Sequence, residues 1–231
     1  AGTAGLMSIG QAGFFAIGAY ASALLVKNQG WSFWAALPAA GALAAVAAAI
    51  LISPVLKLRG HYVAIVTLGI GAIVVAAILN LKSVTAGPLG ITAIPAPQLF
   101  GRDIVSPRAY YVLAALLIVA SVALVVRLQR SHLGRAWRAI REDEVAAQAS
   151  GVQLAGHKSL AFAVGAFIAG VAGSLLAHQY AYINPEIFGV DISVLALTMI
   201  VLGGMSNVVG TILGAIVLVG APELLRPLGD F

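Results

Sequence analysis

The stretch of this chain richest in chemical groups is Gly134–Gly151, which reads G-R-A-W-R-A-I-R-E-D-E-V-A-A-Q-A-S-G. Arg135, Arg138 and Arg141 recur every third residue, and Glu142, Asp143 and Glu144 follow at once. Residues three and four apart are neighbours on a helix surface. The spacing therefore predicts a short helix of mixed charge, with Trp137, Ile140, Glu144 and Ala147 near one face and Gly151 as its C-terminal cap. Such a helix suits docking to a soluble partner or lying on anionic lipid headgroups. The other polar residues of interest are isolated in apolar surroundings: Gln11, Thr67 with Gly69 close by, Thr198, Ser206 and Asn207. A path lined by Gly, Thr, Ser and Ala suits a small substrate that is passed along and not held tightly. Gly87 belongs to the turn-forming run Thr85–Ile91, T-A-G-P-L-G-I, which reads as a loop or as a backbone-rich rim to such a path. His61 beside Arg59 has no second His at metal-ligand spacing. No nucleophile-elbow sequence and no phosphate loop of the Walker kind occur. With no Cys, thiolate chemistry and disulfides are excluded. These residues predict no catalytic centre, no metal and no cofactor, so any energy for work must enter from another chain.

The elements that hold these groups are set by hydropathy. Hydrophobic residues make up 61% of the chain and charged residues 9%, against about 25% charged in a soluble domain. A membrane-spanning helix needs about 20 mostly apolar residues. Leu6–Val26, Phe33–Ile52, Tyr62–Leu81, Ala109–Val126 and Leu160–Tyr180 meet that need, and Ile192–Val219 reads as two helical pieces around the break Gly203–Asn207. The expected fold is all-α: a polytopic transmembrane helix bundle with a broken helix near the C-terminal end. It forms one domain over residues 1–231, with 127–158 as a cytoplasmic loop. Ionisable side chains are nearly absent from the spans, which argues against a proton relay or a voltage sensor. Six of the 13 Lys and Arg fall between Arg127 and Lys158. Counting loops on alternate sides gives eight basic residues on the side of that segment and four on the other, which assigns it to the cytoplasm. The same cluster lacks interleaved aromatics, so it does not read as a nucleic-acid surface. Gly10, Gly13 and Gly18, and again Gly165, Gly170 and Gly173, predict close helix packing. Phe15–Tyr20 also echoes Phe162–Phe167.

Five collinear segments resemble signatures of one family. They are Ser8–Tyr20 (S-I-G-Q-A-G-F-F-A-I-G-A-Y), Leu58–Gly69 (L-R-G-H-Y-V-A-I-V-T-L-G), Thr85–Ile91, Gly134–Glu144 (G-R-A-W-R-A-I-R-E-D-E) and Val201–Gly210 (V-L-G-G-M-S-N-V-V-G). Together they resemble the permease subunits of branched-chain amino-acid ABC importers, and the M-type of the two paired permeases most of all. The resemblance implies a multi-pass protein of the bacterial inner membrane. Its implied partners are a second permease, two cytoplasmic ABC ATPase subunits and an extracytoplasmic substrate-binding protein. It implies that Arg135–Gly151 includes the coupling helix that enters the ATPase. Glu144-Val145-Ala146-Ala147 with Gly151 is similar to the E-A-A…G pattern of ABC permeases. One departure is the run at Thr85, which more often reads T-G-G-x-N-G; urea and short-amide permeases are close relatives. Family members carry further apolar helices on either side, so the chain is expected to be a fragment. A channel without an ATPase and a polytopic membrane enzyme are the rival classes. The docking-type helix argues against the first, and the lack of buried paired carboxylates or His clusters against the second.

Overall fold

The computed structural model describes residues 8–53, 55, 61–99, 102–204 and 207–225. Its centre is three helices in mutual contact: α1 (Gln11–Gln29), α2 (Phe33–Ile52) and α8 (Leu154–Tyr180). Helix α3 (His61–Asn80) packs on α1, and α5 (Pro107–Arg130) lies along α8. Small residues let the three central backbones approach. Gly18 faces the backbone of Gly170, and Gly173 faces the carbonyl of Phe15, with no room for a Cβ at any of these crossings. In lipid, where apolar surface has no reason to leave its solvent, this close packing is a main source of helix association.

Among the described residues, five helical segments are long and apolar enough to cross a membrane: Phe33–Ile52, Tyr62–Asn80, Pro107–Arg130, Leu154–Tyr180 and Pro185–Gly203. Helix α1 is as long as several of these, at 19 residues, but more polar. It occupies the interior, with Phe14, Ala16, Tyr20 and Ala23 all buried, so it shows little surface to lipid. Its start differs from the expected Leu6. Gly10 is non-helical (φ −94°, ψ 15°) and the helix begins at Gln11, while Leu6 and Met7 lie outside the described residues.

One end of the bundle is covered by residues 81–106. After α3 come a short helix α4 (Lys82–Thr85), a 3-10 turn (Gly87–Leu89), β1 (Ile91–Thr92), and the pair β2 (Gln98–Leu99) and β3 (Arg102–Asp103). β1 pairs antiparallel with β4 (Tyr182–Ile183), which follows α8. Lys27 Nζ donates to the Thr92 carbonyl at 2.6 Å and Trp34 Nε1 to the Gln98 carbonyl at 2.7 Å. These bonds place the C-terminal ends of α1 and α8 and the N-terminal end of α2 together, at what is here termed the loop face. The opposite ends, with α6 (His132–Glu142) and α7 (Glu144–Ala149), form the basic face.

The C-terminal region departs from regular helix twice. The break expected at Gly203–Asn207 is present: α9 (Val190–Gly203) ends at Gly204, whose φ is 90°, and α10 (Val208–Leu225) turns back against α9. Gly203 and Gly210 meet backbone to backbone, and Asn207 Oδ1 caps α10 by accepting from Val209 N–H. Met205 and Ser206 lie outside the described residues. The second irregularity lies in the gap between the expected spans Leu160–Tyr180 and Ile192–Val219. The chain descends from the loop face through β4 and a 3-10 turn (Pro185–Phe188), and α9 starts only beside α1, where Ser193 Oγ accepts from Ala12 N–H at 3.0 Å. Phe188 fills the space, its ring 5.5 Å from Phe15 and 6.0 Å from Tyr20. Non-helical backbone at such depth is tolerated where protein surrounds it.

Candidate functional site

On the basic face, residues 131–151 fold as two helices where the sequence predicted one. Ser131 caps α6 by accepting from Leu133 N–H. The chain then breaks at Asp143 (φ −155°, ψ 114°), whose Oδ1 accepts from Val145 N–H at 2.8 Å and Ala146 N–H at 3.1 Å. The reason lies in the acid run. A carboxylate is disfavoured at a helix C-terminus and favoured at an N-terminus, and Asp is among the best N-caps. Breaking at Asp143 puts Asp143 and Glu144 at the start of α7. Gly151 closes α7 as expected: its φ is 86°, its N–H donates to the Gln148 carbonyl and Val152 N–H to that of Ala147, the Schellman arrangement.

This two-helix arm is fastened to the bundle. Trp137 and Ile140 are buried, and the Trp137 ring joins the cluster of Phe14, Ile52, Val63 and Phe162. Trp137 Nε1 donates to the His157 carbonyl at 2.8 Å. Gly134 rides directly over the Gln129 carbonyl, where no Cβ fits. On the outer side Arg135, Arg138, Arg141, Glu142 and Asp143 are exposed, with Arg138 Nη1 donating back to the Gln129 carbonyl. Val145 is 61% exposed at the tip. Ala147 is buried. Glu144 turns inward: its Oε1 lies 2.7 Å from Nζ of Lys158, which is only 2% exposed. Lys158, counted in the sequence as a loop charge, is thus an interior residue of α8.

The polar residues expected to line a path are spread over the molecule. Thr67 is buried on α3, accepting from Ile9 N–H and donating to the Ala64 carbonyl. Gly69 lies two residues on, half-buried with open space beside it. Gly87 sits at the loop face in the turn over the end of α3, at φ 57°. Thr198 is exposed on α9, Asn207 caps α10, and Ser206 is outside the described residues. Gln11 is the one of this set that lines a sizeable cavity, of about 380 Å³, on the basic-face side between α1, α5, α8, α9 and α10. The glycines of the two echoed segments also differ in use: Gly18 packs on Gly170, whereas Gly165 opens on this cavity opposite Gln11.

A buried polar chain at the loop face joins three segments. Ser174 Oγ donates to Ser22 Oγ at 2.7 Å, Ser22 Oγ lies 2.9 Å from His178 Nε2, and His178 Nδ1 lies 2.7 Å from the Pro95 carbonyl. A carbonyl only accepts, so the proton is on Nδ1, and in the neutral ring Nε2 accepts from Ser22. Phe33 stacks edge-on against His178 at 4.9 Å. The chain ties α1, α2 and α8 to the 81–106 cover. Beside it is a cavity of about 580 Å³ between the cover, Tyr110 and His178. Nothing in the sequence pairs Ser22 with His178, 156 positions apart; the available signal was a polar residue at a helical interval in each of two apolar stretches. Among the described residues no cluster of His, Asp or Glu could hold a metal ion.

Compared with known proteins, the whole chain, residues 1–231, matches the family described as branched-chain amino acid transport system / permease component. It is 42% identical to the high-affinity branched-chain amino acid transport system permease protein LivM of Escherichia coli (strain K12), covering 100% of this chain and 60% of that protein. LivM of Salmonella typhimurium is 41% identical with the same coverage. LivH of Salmonella typhimurium is 38% identical over 107 residues, 46% of this chain and 34% of that protein. The chain thus spans 60% of the length of the LivM relatives. No solved structure matches it significantly.

Proposed function

The chain belongs to the permease-component family of branched-chain amino acid transport systems, and from that premise we propose that it is a membrane-spanning subunit of an ATP-driven importer of branched-chain amino acids. It acts in the bacterial inner membrane beside a second permease. Two ATPase subunits dock on its basic face, in the cytoplasm, and an extracytoplasmic binding protein delivers substrate to the loop face. ATP hydrolysis belongs to the separate ATPase chains.

The observation that carries this reading is the α6–α7 arm. A converter of ATPase movement must be stiff, must show a polar outer surface to a soluble partner, and must be fixed to the spans. The arm meets each need. Arg135, Arg141, Glu142 and Val145 face outward, Trp137 and Ile140 enter the bundle, and the Glu144–Lys158 pair joins α7 to α8. The inward turn of Glu144 separates it from the residues that would touch the ATPase, so the contact is tested at Glu142.

The test uses the full-length protein reconstituted with its second permease, ATPases and binding protein. L-leucine uptake is expected to require ATP, and urea is expected not to enter. Glu142→Lys should lower substrate-stimulated ATP hydrolysis and uptake together, with assembly unchanged. Uptake without ATP, uptake of urea in place of leucine, or full stimulation in the Glu142 variant would overturn the reading.

A further inference from the structure

The basic-face cavity gathers features that the coupling arm does not use. Helix α1 begins inside the bundle, at the level of Thr67 on α3 and Gly165 on α8. Its N-cap is Gly10, which offers no side-chain acceptor. The first N–H groups of a helix lack intrahelical partners and carry roughly half a positive charge between them. Two of them are engaged, Ala12 N–H by Ser193 Oγ and Gly13 N–H by the Gly10 carbonyl. Beside this terminus, Ser8 is 7% exposed and its hydroxyl has no hydrogen-bond partner. A buried hydroxyl without a partner is unfavourable, and a ligand atom that bonds it recovers that cost. Both Ser8 and Gln11 line the cavity, and at about 380 Å³ it lies in the size range of small-molecule sites.

The rest of the lining fixes the ligand class. Val125, Leu128, Val164, Ile168 and Ile200 supply an aliphatic wall. Among the described residues no charged side chain lines the cavity, so a ligand of zero net charge suits it and a cationic or anionic one does not. Thr211 Oγ1, also in the lining, donates to the Asn207 carbonyl and leaves its oxygen able to accept. We propose that this cavity is an inner station for a zwitterionic aliphatic amino acid, with the carboxylate at Ser8 and the N-terminus of α1, and the side chain against the aliphatic wall. The ammonium then lies toward Thr211. Trp137 is part of the same lining, so the arm that docks the ATPase also forms one wall of the station. This inference rests on the transport reading above and adds a place and a chemistry to it.

The test is a Ser8→Cys change in the full-length permease on a cysteine-free background, within the complete transporter in vesicles. Methyl methanethiosulfonate, small and uncharged, should label Cys at this position. L-leucine at ten times its half-protecting concentration should slow labelling about tenfold, and 3-methylbutylamine, the same side chain without the carboxylate, should not. No labelling in any condition, no protection by leucine, or equal protection by the amine would overturn the station. A second variant guards against misfolding. At Gly165 an added Cβ meets only the Gln11 amide, at 3.8 Å, so Gly165→Leu should assemble and yet fill the cavity, lowering leucine uptake about tenfold or more; unchanged uptake would count against the proposal. Uptake by the unaltered transporter is measured in the same vesicles. If that uptake is absent while leucine still protects, the transport reading falls and the station stands. If uptake is present without protection, the station falls alone.

Discussion

Lys158 has a buried ammonium with a carboxylate as its neighbour. A charge so enclosed is stable only while paired, and removing one partner of a buried pair costs on the order of 3 kcal/mol. Glu144→Gln and Lys158→Met are unequal by this argument: the first strands a buried charge, whereas the second leaves a carboxylate that is 23% exposed and can reach water. The glutamine variant is therefore expected to lower the thermal midpoint of the purified transporter more than the methionine variant. The exchanged pair, Glu144→Lys with Lys158→Glu, should recover most of what either reversal alone loses. An exchange no better than the single reversals would show that the pair does not join α7 to α8. Sequence reasoning placed both residues in one polar segment but gave neither a partner, because residues 14 positions apart across a turn carry no periodic signature. The same limit hid Ser22, Ser174 and His178. It did not hide Gly151, since a glycine after a run of helix formers has a local meaning.

Element boundaries follow local chemistry where the chemistry is strong. Phe33–Ile52 was legible to the residue because Ser32 caps it and its composition is unbroken. The joint between α6 and α7 was not, because three successive acids fit the end of one helix or the start of another, and only the cap at Asp143 decides. That cap makes a prediction. Asp143→Ala removes the acceptor for Val145 and Ala146 N–H and should destabilise α7 by about 1 kcal/mol. Amide hydrogen exchange of residues 145–149 in the assembled protein should speed up by roughly fivefold to tenfold, following that free energy, and Asp143→Asn should restore it. Exchange unchanged in the alanine variant would mean that α7 is held by its packing and not by its cap. The gap between α8 and α9 was legible: the expected spans end at Tyr180 and resume at Ile192, against Val190 in the structure, and Asn184, Pro185 and Glu186 interrupt the apolar run while the β1–β4 pairing holds the segment out of a helix. Its burial against α1 and α3 is a tertiary fact that no window of sequence contains.

At the scale of the whole molecule, four of the expected spans and the shared faces of the loops were legible, because both follow from hydropathy and from alternation; Leu6–Val26 is not among the described helices apolar enough to cross, and Pro185–Gly203 is. The contacts agree with the alternation. Lys27 and Trp34 bond to the 81–106 cover, β1 pairs with β4, and α6 and α7 sit at the far ends of α2 and α8. What contacts alone leave open is which face meets the cytoplasm, and here charge decides. Among the described residues Arg127, Arg130, Arg135, Arg138 and Arg141 lie at the basic face, while Lys27, Lys82, Arg102 and Arg108 lie at the loop face. Lys158 no longer counts toward the difference, since it is buried against Glu144, but the excess survives without it. Basic residues close to the spans are retained on the cytoplasmic side, so the α6–α7 arm is expected there. The chain carries no Cys in its 231 residues, which makes the experiment direct. Val105 is 73% exposed on the cover and Gln148 is exposed on α7. In intact cells, Val105→Cys in the full-length protein should react with a membrane-impermeant maleimide, and Gln148→Cys should react only after the membrane is opened. Reaction of both from the same side would contradict the fold, since the β1–β4 pairing and the arm stand at opposite ends of the bundle. Reaction from opposite sides in the reverse order would keep the fold, invert the charge argument, and place the arm where no cytoplasmic ATPase could reach it.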